Sequence, residues 1–492
     1  MADNLDVMLN QIRQIKGRAV AAWGGALGIV GMGTAFAAPQ TTAPLVAEKT
    51  PPPNIVFLLA DDMGFADVGF NGGKEIKTPN IDRLAASGAV LKHFYAQPVC
   101  SPTRAALLTG RYPMRTGLQV SVVRPWAKYG LPLEERTLPQ ALKEAGYETA
   151  IAGKWHLGHF KPEYLPTKRG FDHQYGHFNG AIDYFTHERD GGLDWHRDDK
   201  ALREEGYSTT LLAQEAVKNI QQRDKKKPLF LYVPFTAVHG PFQVPPRYKK
   251  AYPELKGQRL NYAGMMAALD EAVGKIVGEI ETQGMRNNTL IVFASDNGGP
   301  SPRVVTDNGI FRAGKGTVYE GGVHVAACAS LPGKIPAKSQ VDQPMHMVDW
   351  YSTILKLGGA SPVQKLPVDG RDTWQSLTTN RVIPETVILL NTTPTGGGIR
   401  VGDWKLVVGG VGSRVLEDEE RTPDVRAGDK LRDVELYDLA ADPSETKNVA
   451  AENPAKVKEL QARYEAFAKQ AVPPKSVPKP AGFTVPKIWG EN

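Results

Sequence analysis

Two hydrophobic patterns alternate along the first three quarters of the chain. Short apolar runs rich in β-branched and aromatic residues are typical of buried strands, and they occupy 54–60, 149–152, 229–234 and 289–294. Segments with apolar residues every three or four positions, or with Thr-Pro starts and Gly stops, are typical of helices and occupy 78–87, 137–145, 209–222 and 261–283. This succession predicts an α/β fold with a large, mostly parallel sheet flanked by helices.

The pattern changes after about Pro367, where the predicted strands become shorter. They lie at 387–390, 399–401, 404–408 and 436–439, and a helix follows over 454–469. We therefore expect a large domain over 53–366 and a smaller α+β subdomain with a short antiparallel sheet over 367–471. The Pro- and Lys-rich tail, 472–492, is expected to wrap over the surface or to stay mobile.

The N-terminal segment has the pattern of an export signal. Arg13, Lys16 and Arg18 precede an apolar, Gly-rich stretch over 19–36, and small residues follow at 35–37. We predict a cleaved signal peptide over 1–37 and a Pro/Thr-rich linker over 38–52, hence a periplasmic or secreted protein. An uncleaved anchor helix is the alternative, which the glycines of the stretch disfavour. No later stretch is apolar enough to span a bilayer, so no stable membrane insertion is expected after cleavage.

Composition and charge exclude several classes of protein. The 492 residues are 41% hydrophobic, enough for a large core. Lys and Arg number 59 against 53 for Asp and Glu, and the excess of 6 is scattered along the chain, so nucleic acid is not an expected partner. Only two cysteines, Cys100 and Cys328, are present, which excludes a disulfide scaffold.

Acidic residues follow two of the predicted strands. Asp61 and Asp62 come directly after 54–60, and Asp296 and Asn297 follow 289–294. Ligands in open α/β sheets bind beyond the carboxyl ends of strands, so these side chains are expected to converge. Three carboxylates in one place call for a cation, and oxygen ligands suit Ca²⁺ better than Zn²⁺; we expect Ca²⁺, with Mg²⁺ as the less favoured ion. Each pair taken alone could merely form a turn.

The two cysteines differ in their surroundings. Cys100 opens the segment Cys100-Ser-Pro-Thr-Arg104, which predicts a helix N-terminus where an anion or a thiolate would be stabilised. Cys328 lies in an apolar run and is expected to be a small buried hydrophobic residue.

Two segments identify a family. Cys100-Ser-Pro-Thr-Arg104 with its Leu-Thr-Gly-Arg continuation, and 146–156 (Gly-Tyr-Glu-Thr-Ala-Ile-Ala-Gly-Lys-Trp-His), resemble the signature segments of the type I, formylglycine-dependent sulfatases. The resemblance runs from residue 53 to about 449 and includes 296–299, 314–316, 320–322, 402–405 and 436–439. The segments 183–188 and 238–245 are similar to the arylsulfatase B-like branch, the N-acetylgalactosamine-4-sulfatases.

The resemblance implies an alkaline-phosphatase-like α/β sandwich with its catalytic domain over 53–366. It also implies that a formylglycine-generating maturation enzyme converts Cys100 to formylglycine, whose hydrate attacks sulfur. In the family this residue and four others hold Ca²⁺, which here are Asp61, Asp62, Asp296 and Asn297.

The remaining catalytic roles are implied in the same way. Lys154 and Lys315 would bind the sulfate group, and Arg104 would hold the hydrate by charge-assisted hydrogen bonds. His156, two residues after Lys154 on an extended segment, would act as the base that expels sulfate. His239 would bind the substrate and act as general acid to the leaving alcohol.

Substrate recognition is expected in the long segment 172–197. Its polar and aromatic residues suit binding to sugars, and Asp183 and His187 are the candidates. The same mixture is also typical of a long loop folded on itself.

Three functions remain open at this point. The first is a sulfatase on sulfated carbohydrates such as N-acetylgalactosamine 4-sulfate or glycosaminoglycan fragments, and on aryl sulfates. The second is a phosphonate or phosphate ester hydrolase of the same superfamily, which a substrate panel would distinguish. The third is a non-catalytic Ca²⁺-dependent glycan-binding protein, which would not need His156 and His239 together with two lysines.

Overall fold

The structure is a computed structural model that describes residues 51–409 and 434–491. The predicted signal peptide, 1–37, and all of the predicted linker except residues 51 and 52 lie outside the described residues and stay predictions. Within the described residues, no helix combines the length and the apolar character that crossing a bilayer requires.

The described residues form eighteen strands and ten helices. The strands are β1 (Asn54–Ala60), β2 (Ala89–Leu91), β3 (Phe94–Tyr95), β4 (Glu148–Lys154), β5 (His173–His177), β6 (Glu188–Arg189), β7 (Gly192–Leu193), β8 (His196–Arg197), β9 (Lys200–Ala201), β10 (Leu229–Pro234), β11 (Thr289–Ser295), β12 (Ala327–Ser330), β13 (Ser339–Val341), β14 (Met345–His346), β15 (Val387–Thr393), β16 (Gly396–Val401), β17 (Trp404–Val408) and β18 (Val434–Asp438). The helices are α1 (Pro79–Ala86), α2 (Cys100–Thr109), α3 (Leu138–Glu144), α4 (Ser208–Gln222), α5 (Pro246–Lys249), α6 (Gly257–Thr282), α7 (Glu320–Val323), α8 (Asp349–Leu357), α9 (Trp374–Thr379) and α10 (Pro454–Ala468).

Ten strands form the large sheet, in the order β13-β2-β12-β11-β1-β10-β4-β5-β8-β9. Its centre is parallel, with β1 between β10 and β11 and with β4 and β5 continuing the parallel set. The strands β12 on one side and β8 and β9 on the other are antiparallel to their inner neighbours. The predicted mostly parallel sheet is therefore confirmed.

Helices cover both faces of this sheet because its central strands are apolar on both sides. Phe57 of β1 packs on one face, where its ring meets Trp350 of α8 edge to face at 6.0 Å between centroids. The next residue, Leu58, belongs to the opposite cluster, which includes Leu269 of α6. All four side chains are fully buried.

The second large element is a four-stranded antiparallel sheet in the order β15-β16-β17-β18. Leu460 and Tyr464 of α10 are buried in the same hydrophobic cluster as Leu389 of β15 and Leu406 of β17. The small antiparallel sheet and the closing helix are thus confirmed, whereas the boundary at 366 and 367 stays a prediction.

A buried ion network joins this small sheet to the start of α7. Lys405 of β17 has no exposed side-chain area, and its Nζ lies 2.8 Å from Oε1 of both Glu320 and Glu445. Glu320 also accepts hydrogen bonds from Tyr95 and contacts His324, at 2.7 and 2.8 Å. Two segments of the family resemblance, 320–322 and 402–405, therefore meet in a structural ion pair.

The proline-rich tail wraps over the surface. Its first residue, Val472, donates its backbone N–H to Met114 O at 2.9 Å. At its other end the backbone N–H of Trp489 donates to Leu193 O at 2.9 Å, and the Trp489 side chain is buried, 2% exposed.

Candidate active site

The two acidic pairs meet at the carboxyl ends of neighbouring strands. Asp61 and Asp62 follow β1, Asp296 and Asn297 follow β11, and all four are buried. Asp62 N donates to Oδ1 of Asp296 at 3.2 Å, and Asn297 Nδ2 donates to Oδ1 of Asp62 at 2.7 Å. The expected convergence is what parallel neighbours with aligned ends produce.

Cys100 is the first residue of α2 and lies against this cluster. Its thiol, 1% exposed, donates from Sγ to Oδ1 of Asp61 at 3.3 Å. Potential ligand atoms of Asp61, Asp62, Cys100 and His239 all lie within 4.8 Å of one another. The predicted helix start at Cys100 is therefore found beside the acidic strand ends.

Arg104, one turn into α2, holds two of the carboxylates. Its Nη2 lies 2.8 Å from Oδ2 of Asp296 and 3.4 Å from Oδ2 of Asp61, and its Nη1 donates to Lys154 O at 2.9 Å. Its observed contacts are thus with the acidic cluster, while its role toward a modified Cys100 stays a prediction.

Two lysines reach the cluster from different sides. Lys154, the last residue of β4, places Nζ 2.5 Å from Oδ2 of Asp61 and has no exposed side-chain area. Lys315 Nζ lies 2.7 Å from Oδ2 of Asp62 and 3.2 Å from Nε2 of His239.

The two predicted catalytic histidines sit on turns. The extended continuation expected after Lys154 is not found, because β4 ends there and His156 has a left-handed φ of 56°. His156 Nε2 lies 3.1 Å from Val123 O, while its buried Nδ1 has no hydrogen-bond partner among the described residues. His239, in the segment after β10, has Nδ1 2.6 Å from Gly240 O and Nε2 3.5 Å from Oδ2 of Asp62.

The carboxylates of the cluster have opposite pKa shifts. Burial raises the pKa of Asp62, but the charge of Lys315, the neighbouring His239 and hydrogen bonds from Lys315 and Asn297 outweigh it and hold the pKa below its usual range. Burial and the neighbouring Asp61 raise the pKa of Asp296, although Arg104 opposes them. Burial and the charge of Asp61 therefore disfavour the ionised form of Asp296.

The thiol and the imidazoles of the site are held in their neutral forms. Burial, with Asp296 and Asp61 nearby, raises the pKa of Cys100 well above its usual value. The expectation that the helix N-terminus stabilises a thiolate is therefore wrong, because desolvation and two carboxylates outweigh the helix. Burial lowers the pKa of His239 to about 3, with Lys315 contributing, and lowers that of His156 well below its usual value.

A cavity of about 210 Å³ opens over these groups. Its inner part is formed by Asp62, Cys100, His156, His239 and Lys315. The remaining lining residues are Val99, Val122, Val123, Arg124, Pro125, Gly180, Ala181, Arg189 and Pro300. Five of the predicted catalytic and metal-binding residues thus face one space large enough for a small anionic group.

The two predicted sugar-binding residues do not line this cavity. Asp183 accepts hydrogen bonds from Gln243 and from backbone N–H groups of its own turn, at 2.6 to 2.9 Å. His187 stacks on Trp195 with 4.4 Å between ring centroids. Asp183 is thus engaged by Gln243 and its own turn and His187 by Trp195, and the same segment places Arg189 on the wall instead.

Comparison with known proteins agrees with this geometry. The Sulfatase family model matches residues 53–360. The chain is 36% identical to mouse arylsulfatase J over 468 residues, 87% of this chain and 78% of that protein. It is 33% identical to human arylsulfatase A over 440 residues, 81% of this chain and 83% of that protein.

Solved structures also superpose on most of this chain. The crystal structure of Ps i-CgsB in complex with k-i-k-neocarrahexaose superposes with a TM-score of 0.76 at 32% identity, covering 86% of this chain and 94% of that chain. PsFucS1 sulfatase from Pseudoalteromonas sp. superposes with a TM-score of 0.68 at 28% identity, covering 87% and 92%. The chain belongs to the type I sulfatase family and is a sulfuric ester hydrolase.

Proposed function

We propose that this hydrolase releases sulfate from sulfated carbohydrates at a calcium site, with Cys100 converted to formylglycine as the nucleophilic residue. The observation that carries the proposal is the meeting of Cys100, the acidic strand ends and Lys315 on one small cavity. Formylglycine supplies a hydrated aldehyde as the nucleophile, which a buried, protonated thiol does not offer.

The residues of the cluster fit a calcium ion. Asp61, Asp62, Asp296 and Asn297 offer hard oxygen ligands, the kind that Ca²⁺ prefers. Asn297 Oδ1 is buried and has no hydrogen-bond partner among the described residues, as expected for an atom reserved for a cation. Burial and the nearby Asp61 raise the pKa of Asp296, and a bound cation would favour its ionised form. When bound, Ca²⁺ would supply fixed positive charge for a sulfate oxygen.

The chain's own cations complete the binding of the anionic group. Lys315 faces the cavity beside Asp62, and Lys154 is held behind it by Asp61. Charge that grows on the sulfate oxygens during transfer is stabilised by such preset cations. Arg104 fixes Asp61 and Asp296 in place, which keeps the cluster from rearranging.

Two imidazoles stand on the cavity to move protons. His239 Nδ1 is 2.6 Å from Gly240 O, so its Nδ1–H donates there and Nε2 faces Lys315 at 3.2 Å. We assign this His239–Lys315 pair to protonate the leaving alcohol. His156, neutral and with Nδ1 unpaired among the described residues, is assigned as the base toward the modified Cys100.

The substrate class is proposed from the likeness to named proteins. The chain is 37% identical to mouse N-acetylgalactosamine-6-sulfatase over 352 residues, 67% of this chain and 66% of that protein. The Ps i-CgsB structure holds a neocarrahexaose. Sulfated sugars are therefore the proposed substrates. The relative adds N-acetylgalactosamine 6-sulfate to the candidates that the sequence resemblance implies, N-acetylgalactosamine 4-sulfate and glycosaminoglycan fragments. Export to the periplasm or beyond and action of a maturation enzyme belong to the same proposal.

The test is sulfate release from a panel by protein produced together with a formylglycine-generating enzyme. The panel holds 4-nitrophenyl sulfate, N-acetylgalactosamine 4- and 6-sulfates, carrageenan oligosaccharides and phenyl phosphonate esters. We expect sulfate release from the aryl ester and from at least one sugar. Faster cleavage of the phosphonate than of every sulfate would overturn the assignment of substrate class.

A further inference from the structure

The segments 183–188 and 238–245 pack against each other beside the active site. Tyr184 is fully buried, and its Oη lies 2.7 Å from His239 O and 2.8 Å from Thr236 O. The single hydroxyl proton of Tyr184 is therefore shared between two carbonyls of the turn that carries His239. Because the phenol has no exposed area, it holds this turn without touching a substrate.

The turn that Tyr184 holds also sets the orientation of the His239 imidazole. His239 donates its Nδ1–H to Gly240 O at 2.6 Å, so the ring is tied to the backbone of its own turn. Within this turn, His239 N donates to Thr236 O at 3.0 Å. Nε2 then lies 3.2 Å from Lys315 Nζ, and both side chains line the cavity. A shift of the turn would therefore carry Nε2 with it.

Tyr184 is itself fixed by polar contacts. Gln243 Oε1 accepts the backbone N–H of Tyr184 at 2.8 Å, and Gln243 Nε2 donates to Oδ2 of Asp183 at 2.6 Å. The Tyr207 ring stacks on that of Tyr184 with 5.6 Å between centroids, and Tyr207 Oη donates to Gln243 O at 3.1 Å. Asp183 therefore contributes to the support of the turn that carries His239.

The Tyr184 hydroxyl stays available as a hydrogen-bond donor. Burial raises the pKa of Tyr184 well above its usual value, and the neighbouring Tyr207 raises it further. Removal of this hydroxyl takes a donor from a buried carbonyl, and movement of the turn would relieve the resulting cost. A shift of about 1 Å in a catalytic group can lower a rate on the order of 100-fold, so even a small movement matters.

We propose that Tyr184 is a positioning residue for His239, whose imidazole it keeps aligned with the leaving oxygen of the substrate. The inference rests on the role proposed for His239 as general acid, and it deepens that role. Protonation by a general acid matters most when the leaving group is a weak acid. A misplaced His239 should therefore slow the cleavage of phenyl sulfate more than that of 4-nitrophenyl sulfate.

The test measures kcat/KM for 4-nitrophenyl sulfate and for phenyl sulfate with protein produced together with a formylglycine-generating enzyme. Phenol is a weaker acid than 4-nitrophenol, so its departure depends more on protonation. The ratio of the first value to the second does not depend on the folded or converted fraction of the protein, because that fraction multiplies both values. A merely structural role therefore leaves this ratio unchanged.

Tyr184→Phe removes only the hydroxyl. It is expected to raise the ratio about tenfold or more, in the same direction as His239→Ala. Tyr147→Phe is the matched control, since Tyr147 is 2% exposed and donates to Pro53 O at 2.9 Å, at the opposite end of β1 from the site. This control is expected to keep the ratio within about twofold.

A second variant keeps the test decisive if Tyr184→Phe does not fold. Asp183→Ala, at a half-buried position, removes the carboxylate that holds Gln243 and is expected to raise the ratio about threefold. An unchanged ratio in the variant that folds, while His239→Ala raises it, would overturn the inference. An unchanged ratio in His239→Ala would overturn it together with the role assigned to His239. Absent hydrolysis of 4-nitrophenyl sulfate by unaltered protein carrying formylglycine would remove the proposed function itself, and the inference with it.

Discussion

Cys100 Sγ lies 3.3 Å from Oδ1 of Asp61, at the point where the end of β1 meets the start of α2. Burial raises the pKa of the thiol, and the closeness of Asp296 and Asp61 raises it further, because a thiolate would stand beside carboxylates. In another chemical form, such as formylglycine, residue 100 would be close enough to act together with the acidic cluster. The contact therefore places the proposed modification of Cys100 beside the proposed metal site.

The two cysteines provide a matched pair of variants. Cys100→Ala is expected to lower kcat/KM for 4-nitrophenyl sulfate by at least 1000-fold, since it removes the residue that we propose is converted to formylglycine. Cys328, buried on β12 in the hydrophobic cluster, has no contact with the site, so Cys328→Ala is expected to keep kcat/KM within about threefold and to lower stability slightly. Equal loss of activity in both variants would contradict the assignment.

Substitution of Asn297 tests the proposed calcium site without removing a charge. Asn297→Ala removes the unpaired Oδ1, so calcium affinity is expected to fall at least tenfold in calorimetric titration. Asn71→Ala, in the turn at 69–71, serves as control and should bind calcium normally. Unchanged affinity in Asn297→Ala would show that Asn297 is not a ligand.

Substitution of Lys405 tests the buried ion network that joins the small sheet to the rest of the molecule. Lys405→Met leaves Glu320 and Glu445 facing each other without their shared cation, and is expected to lower the free energy of unfolding by about 3–5 kcal/mol. The exposed pair of Lys356 and Asp372 is the control, since Lys356→Met should change it by less than about 1 kcal/mol. Denaturant titration measures both, and similar values for the two variants would contradict the network's role.

Glu215 lies away from the active site, and its lowered pKa predicts that the free energy of unfolding depends on pH. Burial raises its pKa, but hydrogen bonds from His173 and Arg197 prevail and lower it from 4.5 to about 2. A carboxyl whose pKa is depressed by folding stabilises the protein above pH 4.5, and this contribution is lost as the pH falls toward 2.

The matching variant is Glu215→Gln. At pH 7 it is expected to lower the free energy of unfolding by about 1 kcal/mol, a value reduced for the solvent that screens its partly exposed partners. The difference from the unaltered protein should shrink below pH 4.5. A difference that stays constant from pH 7 to pH 3 would contradict the assigned ion pair.

Much of the fold and the inner site could be predicted from local sequence. The apolar run of β1 is fully buried on both faces. Such runs in parallel sheets can be recognised from the sequence alone. Asp61 and Asp296 could be paired before the fold was known, because the ends of neighbouring parallel strands lie together. Cys100 and Arg104 were placed by a motif that spans one helical turn.

Other features depend on contacts between distant segments and left no local signal. Arg124 lies in no motif or periodic segment, and it lines the cavity only because the stretch after α2 folds back onto His156. β5 has the sequence His-Gln-Tyr-Gly-His, which lacks an apolar pattern, and it is a strand because it pairs with β4. Asp183 and His187 were predicted from the composition of the segment 172–197, and the structure engages Asp183 with Gln243 and His187 with Trp195.

The most direct measurement is the mass of the peptide that contains Cys100, made alongside sulfate release, on protein produced with a formylglycine-generating enzyme. The account predicts an aldehyde at position 100 and a specific activity that rises in proportion to the converted fraction. An unmodified thiol in protein that still hydrolyses 4-nitrophenyl sulfate would contradict it.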